Sequence, residues 1–332
     1  AISSASFALE YLWRTMKILA GQLITRYYDA IVVPNAFLPD VTLMSILKLK
    51  DESITTISLI HHLANLTGRG LSLGNIASYL QQSLVFEIIR KYADYLVVYP
   101  HLQRQLKELF PKQKVIATIL GGVPDELFQD VDKLSRYLRK PNYFLITYIG
   151  AIRPYKRLHY LIDAYRRLTS EVSRDILKLI IAGSAENVLY LRKLIAMANK
   201  FKSTSYHVRI IGQYVPERLK TEILGKSRVF VNPSVEEGFS ITIAEALLHA
   251  NKVIVMKELR EVVRTYYRVA LENNLLLIAN DLEDLSEKIS CALSSEVIEK
   301  SYRYVLEELK KLSWFRNQLT LASLIADLVR RI

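Results

Sequence analysis

The chain has 332 residues, 51% hydrophobic and 23% charged, with a net charge of +12. One hydrophobic core rarely serves such a length, so two domains are expected, and the composition is that of an ordinary soluble globular protein. A single cysteine, Cys291, excludes an internal disulfide framework and a cysteine-rich zinc site, and it suits a reducing compartment. No apolar run approaches the ~20 residues that a membrane span needs.

The chain begins Ala-Ile-Ser-Ser, without methionine and without the charged-then-apolar layout of a signal peptide, so residues ahead of Ala1 are expected in a longer protein. Residues 1–140 hold 16 basic and 12 acidic side chains, so the positive charge is spread over both halves rather than clustered. Such a charge favours anionic partners. It carries no nucleic-acid motif, and nucleic acid is not expected as a partner.

In chain order, Phe7–Tyr28 patterns as an amphipathic helix with Arg14, Lys17 and Arg26 among apolar residues. Such a helix can lie on a membrane surface, or pack within a domain like any other. Ala30–Val33, Thr55–Ile60, Tyr95–Tyr99 and Val115–Leu120 read as short buried strands, with amphipathic stretches such as Ile76–Tyr92 between them. Asp130–Asn142 is polar and basic and reads as a linker. Strands follow at Tyr143–Ile149, Leu177–Ala182, Val208–Ile211, Val229–Asn232, Val253–Met256 and Leu275–Ala279. A helix after Lys156 carries Leu158, Leu161, Ile162, Tyr165 and Leu168 on one stripe, and Asp281 stands as the N-cap of a helix over Leu282–Leu293. This is α/β alternation: two successive doubly wound parallel sheets, whose ligands bind beyond the carboxyl ends of the strands.

The sharpest local signal is Pro233-Ser-Val-Glu-Glu237-Gly238-Phe239-Ser240-Ile241-Thr-Ile-Ala-Glu245-Ala-Leu247, between a strand and a helix. Gly238 lets backbone approach a ligand. The amides of Phe239, Ser240 and Ile241 fall at the helix start, where unpaired N–H groups and the helix dipole favour phosphate. Glu245 lies two helical turns beyond Glu237, which allows both carboxylates to face one cleft, and a carboxylate suits vicinal sugar hydroxyls.

This stretch resembles the Glu-x7-Glu signature of retaining glycosyltransferases of family 4. The resemblance implies a GT-B fold: two Rossmann-like domains facing a central cleft. The expected division is 1–138 on the acceptor side, 139–313 binding the nucleotide sugar, and 314–332 as a closing helix crossing back to the first domain. It implies that Glu237 lies beside the donor sugar, Glu245 binds the ribose hydroxyls, and the amides after Gly238 hold the diphosphate. Gly150-Ala-Ile-Arg153-Pro-Tyr-Lys156 resembles the family's Gly-Arg-Leu-x-Pro-x-Lys-Gly. Lys156 and Pro154 match, Ala151 stands where the arginine is usual, and Arg153 is the candidate to reach the same oxygens in its place. Gly183 after a strand resembles the glycine that approaches the donor, and Val208–Val215 resembles the segment whose backbone holds the base. His61, or else His62, stands where the family has a histidine reaching toward the donor sugar. Gly121-Gly-Val-Pro124 resembles a segment that ends the first domain and reads as a turn, and Trp314 reads as core.

Two family features are missing. Nothing before Ala30 reads as a strand followed by a glycine-rich loop, and the family's Gly-x-Pro-Val after the helix is Asn251-Lys-Val-Ile here. The expected activity is metal-independent hexosyl transfer, with a nucleotide diphosphate sugar as donor and a glycan or lipid-linked hydroxyl as acceptor. No cofactor and no metal are expected, and the place is the cytoplasm, with peripheral contact to the cytoplasmic face of a membrane. The alternative is a non-catalytic or accessory relative that binds nucleotide sugar weakly or not at all.

Overall fold

The computed structural model describes residues 28–61, 63, 73–128, 135–141, 143–168, 177–200 and 208–330. They fall into two compact units, one running to Gly121 and taking in Arg316 onward, the other comprising Gly122–Phe315. The residues before Tyr28, where an amphipathic helix was expected, and His62 lie outside the described residues.

In the first unit, strands β1 (Ala30–Val33), β2 (Thr55–Ile60), β3 (Tyr95–Val98) and β4 (Lys114–Ala117) form a parallel sheet in that order. Helices α1 (Leu38–Lys50), α2 (Leu73–Tyr92) and α3 (Gln103–Leu109) lie between them in the chain. Every residue of β2 is buried, as expected of a parallel strand covered on both faces. Of its polar members, Thr56 is satisfied locally, its hydroxyl donating to Tyr92 O at 2.6 Å, whereas Ser58 Oγ is buried without a partner among the described residues. Val33, Met44, Val85, Ile89, Leu96, Phe110 and Val115 are part of this unit's core. The last strand stops at Ala117, short of the expected Leu120.

The second unit holds β5 (Phe144–Ile149), β6 (Leu177–Ala182), β7 (Val208–Ile211), β8 (Val229–Asn232), β9 (Lys252–Met256) and β10 (Leu276–Ala279). All pair in parallel, in the order β10-β9-β8-β5-β6-β7. Helices α4 (Leu158–Leu168), α5 (Val188–Asn199), α6 (Glu217–Lys226) and α7 (Ile241–Leu248) connect them, followed by α8 (Arg260–Tyr266), α9 (Arg268–Glu272), α10 (Leu282–Ser294) and α11 (Glu299–Lys310). The stripe of α4 is buried as its pattern requires, with Leu158, Leu161, Ile162, Tyr165 and Leu168 in the core. Asp281 caps α10 as expected, its side chain accepting from the amides of Glu283 and Asp284. The strand order reverses between β5 and β8: successive strands run outward on either side of this pair. Such a reversal opens a crevice at the carboxyl ends of the two strands.

The final helix α12 (Trp314–Arg330) begins at the junction of the units. The second unit starts at Gly122, ahead of the expected 138/139 division, because residues 122–125 pair with 312–315. Val123 N donates to Leu312 O and Trp314 N to Val123 O, both at 2.8 Å. A Cβ on Gly122 would lie 2.5 Å from Trp314 Cα, so Gly122 permits a close backbone approach rather than only a turn. Trp314 is a correction: the residue is 47% exposed, and its backbone is what pairs with Val123. Nor is the stretch read as a linker wholly free. Ser135–Leu138 forms a 3-10 turn, and Lys140 Nζ donates to Gly225 O at 3.3 Å and His249 O at 2.6 Å, at the ends of α6 and α7.

Candidate active site

The loops after β5 and β8 meet at the point of strand reversal. Gly150, at φ 155°, ends β5, and Gly183, at φ 150°, ends β6 beside it. A Cβ on Gly183 would lie 1.9 Å from Gly150 O, so only glycine allows the two strand ends to approach this closely. From there the β5 loop runs into a 3-10 turn over Pro154–Lys156. Val235 N donates to Tyr155 O at 3.1 Å, tying the β8 loop to the β5 loop.

This tie brings together Lys156 and Glu237, 81 residues apart in the chain. Lys156 Nζ lies 2.6 Å from Glu237 Oε1, and the two side chains are 11% and 15% exposed. The same oxygen accepts from Asn232 Nδ2 at 3.0 Å. Ser234 Oγ lies 2.9 Å from it and 2.6 Å from Asn232 Oδ1, so its single proton serves one of the two at a time. Glu237 is therefore held by a cation, an amide and a hydroxyl, all from the carboxyl ends of the two strands. Asn232 and Ser234 were not singled out from the sequence; their spacing of five and three residues before Glu237 is the only signal of their role.

The carboxylate pair differs from the expected geometry. Helix α7 begins at Ile241, so Glu237 stands in the preceding loop and not two turns down the same helix. Ser240 is the N-cap, in the left-handed conformation at φ 58°, and no side chain caps the helix start. The first amides of α7 therefore lack a side-chain acceptor and suit an anion. The left-handed Ser240 is braced. Its Oγ accepts from Asn232 Nδ2 at 3.1 Å, and the Tyr267 hydroxyl lies 2.9 Å from Phe239 O and 3.1 Å from Ser240 O. The Phe239 ring is buried against Tyr266 and Tyr267, with ring centroids 5.2 and 5.9 Å away, so it anchors the loop through packing.

Glu245 is only 2% exposed. Its Oε1 accepts from Lys220 Nζ of α6 at 2.5 Å, while its Oε2 is buried without a partner among the described residues. Burial pushes this carboxyl above the ordinary range, against the pull of Lys220. Lys220 also pairs with Glu217, at 2.8 Å.

The remaining candidates are distributed as follows. Arg153 pairs with Glu186 and donates to the Tyr155 hydroxyl at 3.2 Å, so the cation expected to replace the missing arginine is engaged by a carboxylate. Arg157, directly after Lys156, takes φ 49° where the family pattern has glycine, and it pairs with Glu258 at 2.5 Å. The left-handed turn that glycine would allow is thus retained by an arginine held in an ion pair. Ala250, directly after α7, is also left-handed, at φ 52°. Gly238 sits between Glu237 and the buried Phe239, and Val215, just ahead of α6, is buried. His61 follows β2 in the first unit. Its Nε2 lies 2.9 Å from Pro34 O, and its ring meets Tyr99 edge-on. Burial lowers its pKa, so the neutral ring with the proton on Nε2 is favoured. Among the described residues no group of three or more His, Cys, Asp or Glu is arranged to hold a metal ion.

A parallel sheet with its strand reversal over an anchored carboxylate, a lysine and an uncapped helix start is the doubly wound α/β arrangement, with a crevice suited to an anionic ligand. Structural comparison narrows the class to the GT-B fold. Sucrose-phosphate synthase from Thermosynechococcus elongatus matches with a TM-score of 0.70 at 16% identity, over 92% of this chain and 75% of that one. Trehalose 6-phosphate synthase from Burkholderia multivorans matches with a TM-score of 0.74 at 13% identity, over 100% and 77%. Anabaena HepE, in complex with UDP and glucose, matches with a TM-score of 0.63 at 14% identity, over 90% and 78%. No curated protein matches by sequence. Residues 143–295, within the second unit, match the model described as glycosyl transferases group 1, so this part of the chain is similar to that family.

Proposed function

We propose that the chain is a retaining hexosyltransferase that moves a sugar from a nucleoside diphosphate sugar to a hydroxyl of a glycan or a lipid-linked acceptor, without a metal. The observation that carries this reading is the Lys156–Glu237 pair at the strand reversal, beside the uncapped start of α7. Lys156 Nζ has three donors and Glu237 occupies one, leaving two for phosphate oxygens. As the bond between the sugar and the diphosphate breaks, negative charge gathers on the leaving oxygens. Lys156 and the first amides of α7 stabilise that charge in a site of low exposure. Glu237, held by Asn232 and Ser234, is placed to accept from a donor-sugar hydroxyl. Glu245 accepts from the ribose hydroxyls. Gly183 and Gly238 allow close backbone approach, and the backbone near Val215 meets the base. The sugar is transferred to the face from which the diphosphate departs, which retains the anomeric configuration.

UDP is the first nucleotide to test, since the structure of one match, HepE, holds UDP. His61 belongs to the proposal as a donor-sugar contact: its alanine variant loses turnover while nucleotide binding persists. No described helix is long and apolar enough to cross a membrane. The proposed place of action is the cytoplasm, with a lipid-linked acceptor met at the membrane surface. Calorimetry with UDP, GDP and ADP tests the reading. Binding of one of them at micromolar to millimolar concentration, lost in Lys156→Ala, supports it. No binding to any of the three sinks it and favours a non-catalytic relative, a reading that Ala151 and the engaged Arg153 would then explain.

A further inference from the structure

Lys220 reaches Glu245 from a different element and has no place in the reading above. It lies on α6, which follows the segment containing Val215, and its side chain is 14% exposed. Its ammonium bridges Glu245 Oε1 at 2.5 Å and Glu217 Oε1 at 2.8 Å. Glu245 needs such a partner. On its helix, α7, Ile243, Ala244, Ala246, Leu247 and Leu248 are apolar and buried around it. A carboxylate in such surroundings protonates unless a cation compensates it. The other charged and titratable groups near it do not help. Glu217 raises its pKa further, and the His249 ring is engaged by the Glu245 backbone carbonyl, at 2.7 Å from Nδ1. Lys220 leaves Oε2 buried and without a described partner, so one oxygen is fixed and the other has acceptor capacity that a ligand can use once it is uncovered.

We propose that Lys220 is a positioning residue that keeps Glu245 ionised and oriented, so that its free oxygen accepts from the vicinal diol of a nucleotide ribose. This rests on the nucleotide-binding reading of the site. Lys220 touches Glu245 and not the reacting atoms, so its effect is read in the discrimination between ribose and deoxyribose. Removing it leaves the carboxyl buried without a cation and moves its protonation toward neutral pH. A protonated carboxyl accepts poorly from a diol, and the defect recovers as the pH rises.

The test compares UDP with 2′-deoxy-UDP, and GDP and ADP with their 2′-deoxy forms, by calorimetry at pH 6, 7.5 and 9. The proteins are the full chain, Lys220→Gln and Lys220→Arg. The wild type is expected to prefer the ribonucleotide by about tenfold, the worth of one lost hydrogen bond to a charged group. In Lys220→Gln that preference falls to within about twofold at pH 6 and 7.5 and returns in part at pH 9, while Lys220→Arg keeps it. Equal preference in wild type and Lys220→Gln at every pH overturns the proposal. So does a uniform loss of both ligands without pH dependence, which is what a merely structural lysine would give. If the wild type binds none of the nucleotides, the reading of the site itself fails, and that result is distinct from an unchanged preference.

Discussion

Breaking the Lys156–Glu237 pair should reveal how much of the site is held by electrostatics. At 2.6 Å and an effective dielectric near 20, the gross attraction is roughly 6 kcal/mol. Desolvating both groups offsets most of it, and removing one partner of a buried pair typically costs about 3–5 kcal/mol. Here the figure is lower. Solvent reaches both side chains, and in Lys156→Met the Glu237 carboxylate keeps Asn232 and Ser234 as donors. A loss of about 2 kcal/mol is expected for Lys156→Met and about 1–2 kcal/mol for Glu237→Gln. The double variant should lose less than the sum, with a coupling of about 1–2 kcal/mol. Urea denaturation of the four proteins, followed by far-ultraviolet circular dichroism, measures the cycle. Losses that add to within about 0.5 kcal/mol would show that the two groups do not meet, and the anchoring of Glu237 would have to be argued again.

Three further outcomes follow from the second unit. Ala250→Gly relieves a left-handed alanine after α7 and should stabilise the protein by roughly 0.5–1 kcal/mol in a melting or denaturant experiment; a loss would mean that the strain is absent. Tyr267→Phe removes the hydroxyl that meets the carbonyls of Phe239 and Ser240, and should cost about 1–2 kcal/mol and weaken nucleotide binding, since the left-handed Ser240 loses its brace. Burial, with a smaller contribution from Arg228, lowers the pKa of Lys140 to about 7 from its usual 10.5. The folded state then binds fewer protons than the unfolded state between those values, so stability rises as the pH goes from about 7 toward 10.5. Lys140→Met should flatten that rise in denaturation curves taken at pH 7, 8 and 9, and an unchanged slope would refute it.

Much of the fold is legible in the chain because short runs of β-branched residues end at polar or glycine positions. Thr55–Ile60, Leu177–Ala182, Val208–Ile211 and Val229–Asn232 form strands with the bounds that their patterns suggest. Strand order is not legible in the same way. That β8 pairs with β5 rather than β7 depends on packing between elements some 80 residues apart, and this pairing creates the crevice. The glutamates mark the stretch, but spacing alone allowed only that both carboxylates face one cleft. In the structure Glu237 belongs to a loop braced by Asn232 and Ser234, while Glu245 is sunk in an apolar helix. Lys220 escaped notice because nothing near it in sequence resembles a site; only the contact between α6 and Glu245 reveals it. Trp314 misled for the opposite reason. A large aromatic before a helix suggests core, but here the backbone pairing with Val123 fixes the position and the residue stays half exposed. Arg157 shows that a left-handed turn can persist after its glycine is replaced, so a missing glycine did not mean a missing turn.

The most direct test of sugar transfer from a nucleotide donor is release of the nucleoside diphosphate from a panel of UDP-, GDP- and ADP-sugars. The wild type should release nucleotide from at least one donor, faster with a hydroxyl acceptor present. Lys156→Ala and Glu237→Ala should each fall by at least about a hundredfold while remaining folded, the scale seen when one transition-state charge contact is removed. Release at wild-type rates from both variants would contradict the role given to Lys156 and Glu237.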